Sequence, residues 1–274
     1  METRKPVLLA VSFGTSFAKT RTLTIEATEK ALAAAFPDFE LRRAFTSAAI
    51  IRKLRERDGV RVCSLEEALE QLAREGTGRV LVQPTHMMPG REYDALQAQA
   101  QRFRPSFRQL TVGPPLLHTQ EDCRELAQIL LEKTRSFLTP DTAMIWMGHG
   151  SAHPGNAVYT TVQEAFQALG HSRQLVGTVK GTPDISDTLR RTRALGVSRV
   201  VLQPMMLVAG EHAAHDMAGP QADSWKNQFL RAGFQVECVL EGVGQYAEVQ
   251  AMIVRHARCA LAEALDFAGN ENAH

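Results

Sequence analysis

The sequence contains little of what marks several specialised classes of protein. Aromatic residues make up 6% of the 274 residues, the formal net charge is +1 at pH 7, and no basic stretch is interleaved with aromatics. A nucleic-acid partner is therefore not expected. No apolar run approaches the length needed to cross a bilayer. No membrane association is expected, and the sequence predicts a cytoplasmic protein.

Cysteine is also scarce, with four residues scattered along the chain and no Cys-x-x-Cys pair. This spacing argues against a thiolate zinc site and against a disulfide framework. The composition of 44% hydrophobic and 22% charged residues is typical of a folded globular protein. The length is sufficient for one large or two small domains with a substantial core.

The start of the chain allows two interpretations. Two basic residues, Arg4 and Lys5, precede a short apolar run at residues 7–13, which weakly resembles a secretory signal. The same run also fits a buried first strand. An internal repeat of the chain includes this run and favours the strand.

Short apolar runs alternate with helical patterns along the whole chain. The runs are continuously apolar, as is typical of parallel strands covered by helices on both faces. Between them, apolar residues recur at helical spacing, and Ser64 with Glu67 predicts a capping box at one helix start. This alternation predicts right-handed βαβ units. The predicted strands are residues 7–13, 39–45, 79–83, 109–112, 143–147, 174–179, 199–203 and 234–240.

The chain also repeats itself. Residues 79–92 and 199–212 align without gaps, and Arg, Val, Gln, Pro and Gly are identical at matching positions. Residues 12–16 after the first predicted strand similarly resemble residues 148–152 after the fifth. Two copies of a four-stranded α/β unit explain both similarities.

The repeat predicts an α/β fold of two lobes, each with a central parallel sheet flanked by helices. The N-terminal lobe is predicted at residues 1–138 and the C-terminal lobe at residues 139–274. Ligands bind at the carboxyl ends of strands in open parallel sheets. Polar or glycine-bearing segments follow strands in both predicted lobes, at Ser12–Ser16, His86–Glu92, His149–Asn156, Lys180 and Glu211–Asp216.

Two histidines are the strongest candidates for chemistry. His149 follows a predicted strand between two glycines, which let backbone and substrate approach closely. His212 occupies the corresponding place after another strand of the same lobe. Imidazole is a common ligand for divalent metals and a base near neutral pH. A hydrogen-bonded structural role is the alternative for each histidine alone, whereas the pair favours a functional site.

Other candidates are weaker. His86 and Glu92 occupy the equivalent loop of the first lobe and fit a functional or a surface role equally, while Met206 fits packing or the wall of a cavity. No Walker loop, no Gly-x-Gly-x-x-Gly after the first strand and no nucleophile elbow occur. No nucleotide or organic cofactor is therefore expected.

Taken together, the motifs resemble the anaerobic-type cobalt chelatases, the CbiK family of sirohydrochlorin cobaltochelatases. The resemblance covers nearly the whole chain in order. It implies the class II chelatase fold, in which two flavodoxin-like lobes are present and the last helix, here residues 244–264, crosses onto the first lobe. The motifs include LAVSFGTS at 9–16, RAFTS at 43–47, QPTH at 83–86, MGHG at 147–150, VGTV at 176–179 and LVAGEHA at 207–213.

The resemblance also implies a metal site of two histidines and a glutamate. By position the histidines are His149 and His212, but Lys180 occupies the glutamate position. An ammonium group repels a divalent ion and ligates it only when deprotonated. We therefore expect Lys180 to bind a substrate carboxylate, and Glu92, Glu211 or water to complete the coordination.

The implied activity is that of a lyase that inserts Co²⁺ or Fe²⁺ into sirohydrochlorin in cobalamin or siroheme biosynthesis. The metal is a substrate, and the partner is a tetrapyrrole. Ser12, Phe13, Arg43 and Met206 are further expected substrate contacts. A non-catalytic tetrapyrrole or metal carrier, for which Lys180 is the main argument, and hydrolysis at a bound zinc are the alternatives. The choice between cobalt and iron, self-association into a homo-oligomer and processing of the N-terminus stay open.

Overall fold

The computed structural model describes residues 4–271, with side chains described as far as residue 264. The chain folds into two compact units. One comprises the chain up to Leu116 together with the chain from Gln250 onward, and the other is Leu117–Val249. No helix within the described residues is both long and apolar enough to span a membrane. The four cysteines are free thiols, as their spacing predicts.

The first unit contains a parallel sheet of five strands in the order β3-β2-β1-β4-β5. The strands are β1 (Val7–Ser12), β2 (Glu40–Phe45), β3 (Cys63–Ser64), β4 (Arg79–Pro84) and β5 (Gln109–Val112). The helices are α1 (Ala18–Arg21), which continues through a π-helical turn (Thr22–Glu26) into α2 (Ala27–Ala35), then α3 (Ala48–Asp58), α4 (Leu65–Arg74) and α5 (Arg91–Phe103).

The second unit contains a parallel sheet of four strands in the order β7-β6-β8-β9. The strands are β6 (Thr142–Gly148), β7 (Gln174–Thr178), β8 (Arg199–Pro204) and β9 (Gln235–Cys238). The helices are α6 (Gln120–Lys133), α7 (Ala157–Ala168), α8 (Ile185–Ala194) and α9 (Trp225–Arg231), and a further π-helical turn covers Ala213–Met217. The last helix, α10 (Ala247–Glu271), begins in the second unit and ends in the first.

All eight predicted strands are present, with ends that differ by at most two residues. The prediction of a buried first strand is confirmed, because every residue of β1 is buried between β2 and β4. Strand β3 was not predicted from the sequence, because its two partly buried residues at the edge of the sheet are too few to form a pattern. The predicted capping box between Ser64 and Glu67 is present at α4.

The internal repeat is visible in the sheets. Without the edge strand β3, the order β2-β1-β4-β5 of the first unit matches β7-β6-β8-β9 of the second, and both are flavodoxin-like. The register agrees as well, since Val11 pairs with Pro84 in one sheet and Met147 pairs with Pro204 in the other. Equivalent strands therefore end at equivalent residues.

The division of the chain falls between Leu116 and Leu117, whereas the sequence placed it between residues 138 and 139. The difference is helix α6, which packs against α7 and so belongs to the second unit. From Gln250 onward, helix α10 is grouped with the first unit.

Candidate metal centre

The candidate site of the second unit lies where β6, β7 and β8 end. His149 comes directly after the end of β6. One residue separates the end of β7 from Lys180, and a longer loop separates the end of β8 from His212. Strands β7 and β8 flank β6 in the sheet, so their carboxyl ends deliver these three loops to one edge.

Both glycines around His149 are required by packing. A Cβ atom on Gly148 would lie 2.1 Å from the ring of the buried Tyr159. Gly150 has a φ of +74°, in the left-handed region that favours glycine, and a Cβ there would lie 2.6 Å from the backbone nitrogen of Gly181. The Gly-His-Gly sequence therefore holds His149 in a tight turn against the neighbouring loop.

The loops after β6 and β7 are tied to each other. The backbone nitrogen of Lys180 donates to the carbonyl of His149 at 2.8 Å. The side chain of Asn156 adds two bonds, accepting from the backbone nitrogen of Ser151 at 2.9 Å and donating to the carbonyl of Thr182 at 2.7 Å. His149 consequently sits on a braced segment, although its side chain is accessible to solvent.

His212 is held by a carboxylate. It immediately precedes the π-helical turn Ala213–Met217, and its Nδ1 lies 2.5 Å from Oδ2 of Asp216. A carboxylate oxygen accepts hydrogen bonds, so His212 donates through Nδ1. Both side chains are about one-third exposed, at 34% each. The ring is fixed in direction while one edge stays open to solvent.

The two imidazoles meet. The ring centroids of His149 and His212 are 4.7 Å apart, with an angle of 67° between the ring planes. Nδ1 of His149 lies 2.9 Å from the carbonyl oxygen of Gly150, which can only accept a hydrogen bond. In the neutral form, each ring therefore carries its proton on Nδ1 and has its lone pair on Nε2. Paired lone pairs of this kind can hold a divalent cation or accept a proton.

The electrostatics of His149 favour its neutral form. Partial desolvation lowers its pKa below the usual 6.5, and the neighbouring His212 and Lys180 lower it further. The hydrogen bond to Gly150 and the charge of Asp216 oppose this change. A neutral imidazole is the form that ligates metals, so the site is ready for a cation at neutral pH.

The histidine pair is an incomplete metal cage. Within the described part of the chain, no cluster of three His, Cys, Asp or Glu side chains could hold a metal ion. Structural zinc sites close around the ion with four ligands, whereas sites that pass the ion on keep open positions. Two imidazoles with open positions suit transient handling of a metal better than permanent storage.

Lys180 is exposed and borders an open depression of about 740 Å³. Its charge lowers the pKa of His149, which fits an ammonium group near the site. The depression is lined by polar and small side chains from two segments of the second unit. They are Ser151, Ala152, His153, Pro154, Asn156, Ala157, Thr160, Val179, Lys180, Gly181, Thr182 and Asp184.

The first unit carries different residues at the equivalent places. From the repeat and the sheet register, Phe13 corresponds to His149 and Glu92 corresponds to His212. Phe13 is 47% exposed, and Glu92 is exposed in the first turn of α5. Ser12 is buried, with its Oγ 2.8 Å from Oγ1 of Thr85. The repeat therefore preserved the strand ends but placed the imidazole pair in the second unit.

His86 lies partly buried at the end of β4 in the first unit. Its Nε2 is 3.5 Å from Oγ1 of Thr46, at the limit of a hydrogen bond, and its buried Nδ1 has no hydrogen-bond partner within the described residues. Burial lowers the pKa of His86 to about 4, so the ring is neutral at physiological pH. His86 belongs to the first unit, whereas His149 and His212 belong to the second.

Arg43 is already engaged by carboxylates. Its guanidinium donates to both carboxylate oxygens of Glu29, through Nε at 2.6 Å and through Nη2, and Glu26 lies 3.7 Å away. The hydrogen bonds to Glu29 raise the pKa of Arg43. The side chain of Glu29 is only 8% exposed, so Arg43 neutralises a buried charge.

Met206 and two further histidines of the second unit have structural contacts. Met206 is partly buried and packs against the core of the second unit. His153 caps a short 3-10 turn, because its Nδ1 accepts from the backbone nitrogen of Gly155 at 3.0 Å. His215 is exposed, and its Nδ1 lies 2.9 Å from Nε2 of Gln221.

No role for Asp216 or Asn156 was predicted from the sequence, although the polar segments Glu211–Asp216 and His149–Asn156 end at these residues. For Asp216 a signal existed, because it follows His212 by four residues and so shares one helical face. For Asn156 no signal existed, since its two bonds join loops that are distant in sequence.

The fold matches known chelatases. SirB from Bacillus subtilis, solved with Fe³⁺, superposes with a TM-score of 0.65 at 15% identity, covering 97% of this chain and 98% of that one. CbiX, described as the terminal enzyme for siroheme biosynthesis in denitrifying bacteria, superposes with a TM-score of 0.54 at 17% identity, covering 93% and 99%. The two parallel sheets with their flanking helices are therefore the chelatase fold.

Sequence comparison defines the family within that fold. The profile of the family described as cobalt chelatase (CbiK) matches residues 6–262, and the chain belongs to this family. The sirohydrochlorin cobaltochelatase of Salmonella typhimurium is 40% identical over 264 residues, which cover 96% of this chain and 99% of the relative. The sirohydrochlorin cobaltochelatase CbiKC of Nitratidesulfovibrio vulgaris is 32% identical over 246 residues, covering 89% and 86%.

Proposed function

We propose that this protein is a lyase that inserts Co²⁺ into sirohydrochlorin. Membership of the cobalt chelatase family and two relatives named for this reaction support the substrate and the metal. The single observation that carries the chemistry is the proximity of His149 and His212, whose ring centroids are 4.7 Å apart and whose Nδ1 atoms both contact hydrogen-bond acceptors.

The reaction exchanges two protons for one metal ion. Sirohydrochlorin loses two pyrrole N–H protons, the divalent ion loses part of its own ligand shell, and the products are the metal complex and two H⁺. The imidazoles serve both halves of this exchange. One or both hold the ion during transfer, and one accepts a proton from a pyrrole nitrogen. An open site suits this role, because a closed four-ligand site would retain the ion.

The other candidate residues have distinct roles in this proposal. The exposed ammonium of Lys180, beside a depression of about 740 Å³, binds carboxylate arms of the substrate. Phe13, which replaces a histidine in the first repeat, offers an exposed aromatic face for the macrocycle. Within the described residues no third His, Cys, Asp or Glu side chain joins the pair to hold an ion, so water is the candidate that completes the coordination.

The remaining candidate residues carry less of the proposal. Ser12 and His86 contribute polar groups at the strand ends of the first unit, and Met206 contributes apolar surface at the end of β8. The ion pair with Glu29 favours a structural role for Arg43 over substrate binding. Iron is the second candidate metal, because imidazole binds both ions and affinity order alone does not select one.

The test is direct metal insertion. Purified protein is mixed anaerobically with sirohydrochlorin and Co²⁺, and the absorbance change of the tetrapyrrole is followed. We expect insertion at a rate proportional to enzyme concentration, and a loss of about 10²–10⁴-fold for His149→Ala and for His212→Ala. His171→Ala, which removes an exposed histidine of the same unit, is the matched control and retains full rate.

The result also separates the alternatives. Tight binding of sirohydrochlorin without any insertion would replace the proposed enzyme by a carrier. Zinc that co-purifies and survives dialysis would point to the hydrolytic alternative instead. A parallel assay with Fe²⁺ ranks the two metals by kcat/KM.

A further inference from the structure

We propose that Asp216 is a positioning residue that fixes the tautomer of His212 and thereby aims its Nε2 lone pair at the metal. This inference rests on the proposed function, since it assigns a role within the same site. Nothing in the sequence motifs gave Asp216 a task. The structure places its carboxylate 2.5 Å from Nδ1 of His212.

The contact is specific in geometry. A carboxylate oxygen accepts hydrogen bonds, so this contact places a proton on Nδ1 of His212. In the neutral ring, Nε2 is then the nitrogen without a proton, and it is the atom available to a cation. Without Asp216 the proton can move to Nε2, which would remove the lone pair from the metal side.

The two histidines are anchored differently. Nδ1 of His149 bonds to the carbonyl oxygen of Gly150, within the same braced turn, so the backbone fixes its tautomer. His212 has a side-chain anchor instead, four residues away in the chain. A metal-bound histidine that donates its second nitrogen to a carboxylate is a recurring arrangement, in which the carboxylate orients the ring and increases its strength as a ligand.

The segment that carries Asp216 is itself held in place. Nε2 of Gln221 lies 2.9 Å from Nδ1 of the adjacent His215 and also donates to the backbone carbonyl of His215 at 2.5 Å. Asn227 then clamps the following loop, donating through Nδ2 to the carbonyl of Gln221 at 2.8 Å and to the carbonyl of Pro220 at 3.0 Å.

His215 does not compete with His212 for a hydrogen bond to the carboxylate of Asp216. Its Nδ1 lies 3.6 Å from Oδ1 of Asp216, beyond hydrogen-bond distance, whereas His212 is 2.5 Å from Oδ2. The carboxylate is therefore directed at His212, as an orienting role requires.

If Asp216 had only a structural role, its removal would have a different effect. Such a residue would stabilise the π-helical turn, and its removal would lower the stability of the fold without changing the protonation pattern of His212. An orienting Asp216 changes that pattern even in protein without metal. The tautomer of His212 is therefore the decisive observable.

The experiment uses full-length protein labelled with ¹⁵N-histidine and free of metal. Two-bond ¹H–¹⁵N correlation spectra report which ring nitrogen carries the proton, and the His212→Ala spectrum assigns the signals. In the wild type we expect the Nδ1–H form. In Asp216→Ala we expect a shift to the Nε2–H form and a loss of Co²⁺ affinity of about 10- to 100-fold, measured by calorimetry. Asp223→Ala removes another carboxylate of the same unit, which is exposed, and retains both wild-type properties.

Two outcomes would overturn the inference. One is an Nε2–H tautomer for His212 in the wild type, which can be read even if the variant does not fold. The other is an Asp216→Ala protein with the tautomer and Co²⁺ affinity of the control. Either result leaves the proposed function intact if the wild type inserts cobalt. Conversely, a tautomer shift in a protein that inserts no metal would contradict the proposed function and leave the orienting role of Asp216 intact.

Discussion

His149 and His212 stand with their ring centroids 4.7 Å apart, at the ends of two neighbouring strands of one sheet. Because the two imidazoles act on one ion, we expect their contributions to be strongly non-additive. Replacing both by alanine should lower kcat/KM for insertion by about as much as either single replacement. A double variant whose loss equals the product of the two single losses would mean that they act independently.

The turn that carries His149 gives a prediction of stability. Gly150→Ala places a side chain in a left-handed conformation and against the backbone of Gly181, so it should lower the free energy of unfolding by at least about 1–3 kcal/mol. Gly170→Ala is the matched control, since Gly170 has a φ of +82° but nothing within 4 Å of the added Cβ. Urea denaturation should show the larger loss for Gly150, and equal losses would mean that the turn relaxes.

His86 gives a prediction of pH dependence. Burial lowers its pKa to about 4 in the folded chain, against about 6.5 when unfolded. Above pH 6.5 both states are neutral and His86 has no effect. As the pH falls from 6.5 towards 4, the unfolded state binds the proton first, so stability is lost by up to about 3 kcal/mol.

The measurement is the free energy of unfolding between pH 7 and pH 4. His86→Gln removes the titrating ring, so its stability should fall less steeply over this range than that of the wild type. The exposed His171→Gln should retain the wild-type slope. Parallel profiles for His86→Gln and the wild type would show that burial of this ring does not govern acid sensitivity.

Lys180 gives a prediction that separates substrate binding from metal binding. Lys180→Met should raise the KM for sirohydrochlorin by about 10-fold and change kcat little, because it removes a charge-assisted contact to a carboxylate. Lys180→Glu should raise KM further, since it adds repulsion. Steady-state kinetics with a fixed Co²⁺ concentration provide both constants. A gain in kcat/KM for Lys180→Glu would instead identify the lysine as an impediment to metal handling.

Arg43 gives a prediction that distinguishes a structural contact from a substrate contact. Arg43→Met leaves the buried carboxylate of Glu29 without its partner and should lower the free energy of unfolding by about 1–3 kcal/mol. KM for sirohydrochlorin should stay unchanged. Arg102→Met breaks an exposed pair with Glu66 in the same unit and should cost less than about 1 kcal/mol. A raised KM with normal stability would restore Arg43 to the substrate site.

Local patterns account for what could be predicted from the sequence. Continuous apolar runs marked eight of the nine strands, and the capping box at Ser64 marked the start of α4, because both signals lie within a few neighbouring residues. The edge strand β3 could not be predicted, since two partly buried residues form no periodic pattern. The division between the two units at Leu116 also could not be predicted, because the sequence of neither helix indicates that α6 packs against α7.

The sequence by itself determined the succession of strands and helices, the internal repeat, and the two glycines that frame His149, because these depend on periodicity and on backbone conformation. Only the tertiary structure decided three contacts. The ring of His149 lies next to that of His212, Asp216 is hydrogen-bonded to His212, and Arg43 is paired with Glu29. The physical reason is the strand order β7-β6-β8, which brings together loops that are distant along the chain. Contacts between such loops depend on three-dimensional packing, which no local pattern encodes.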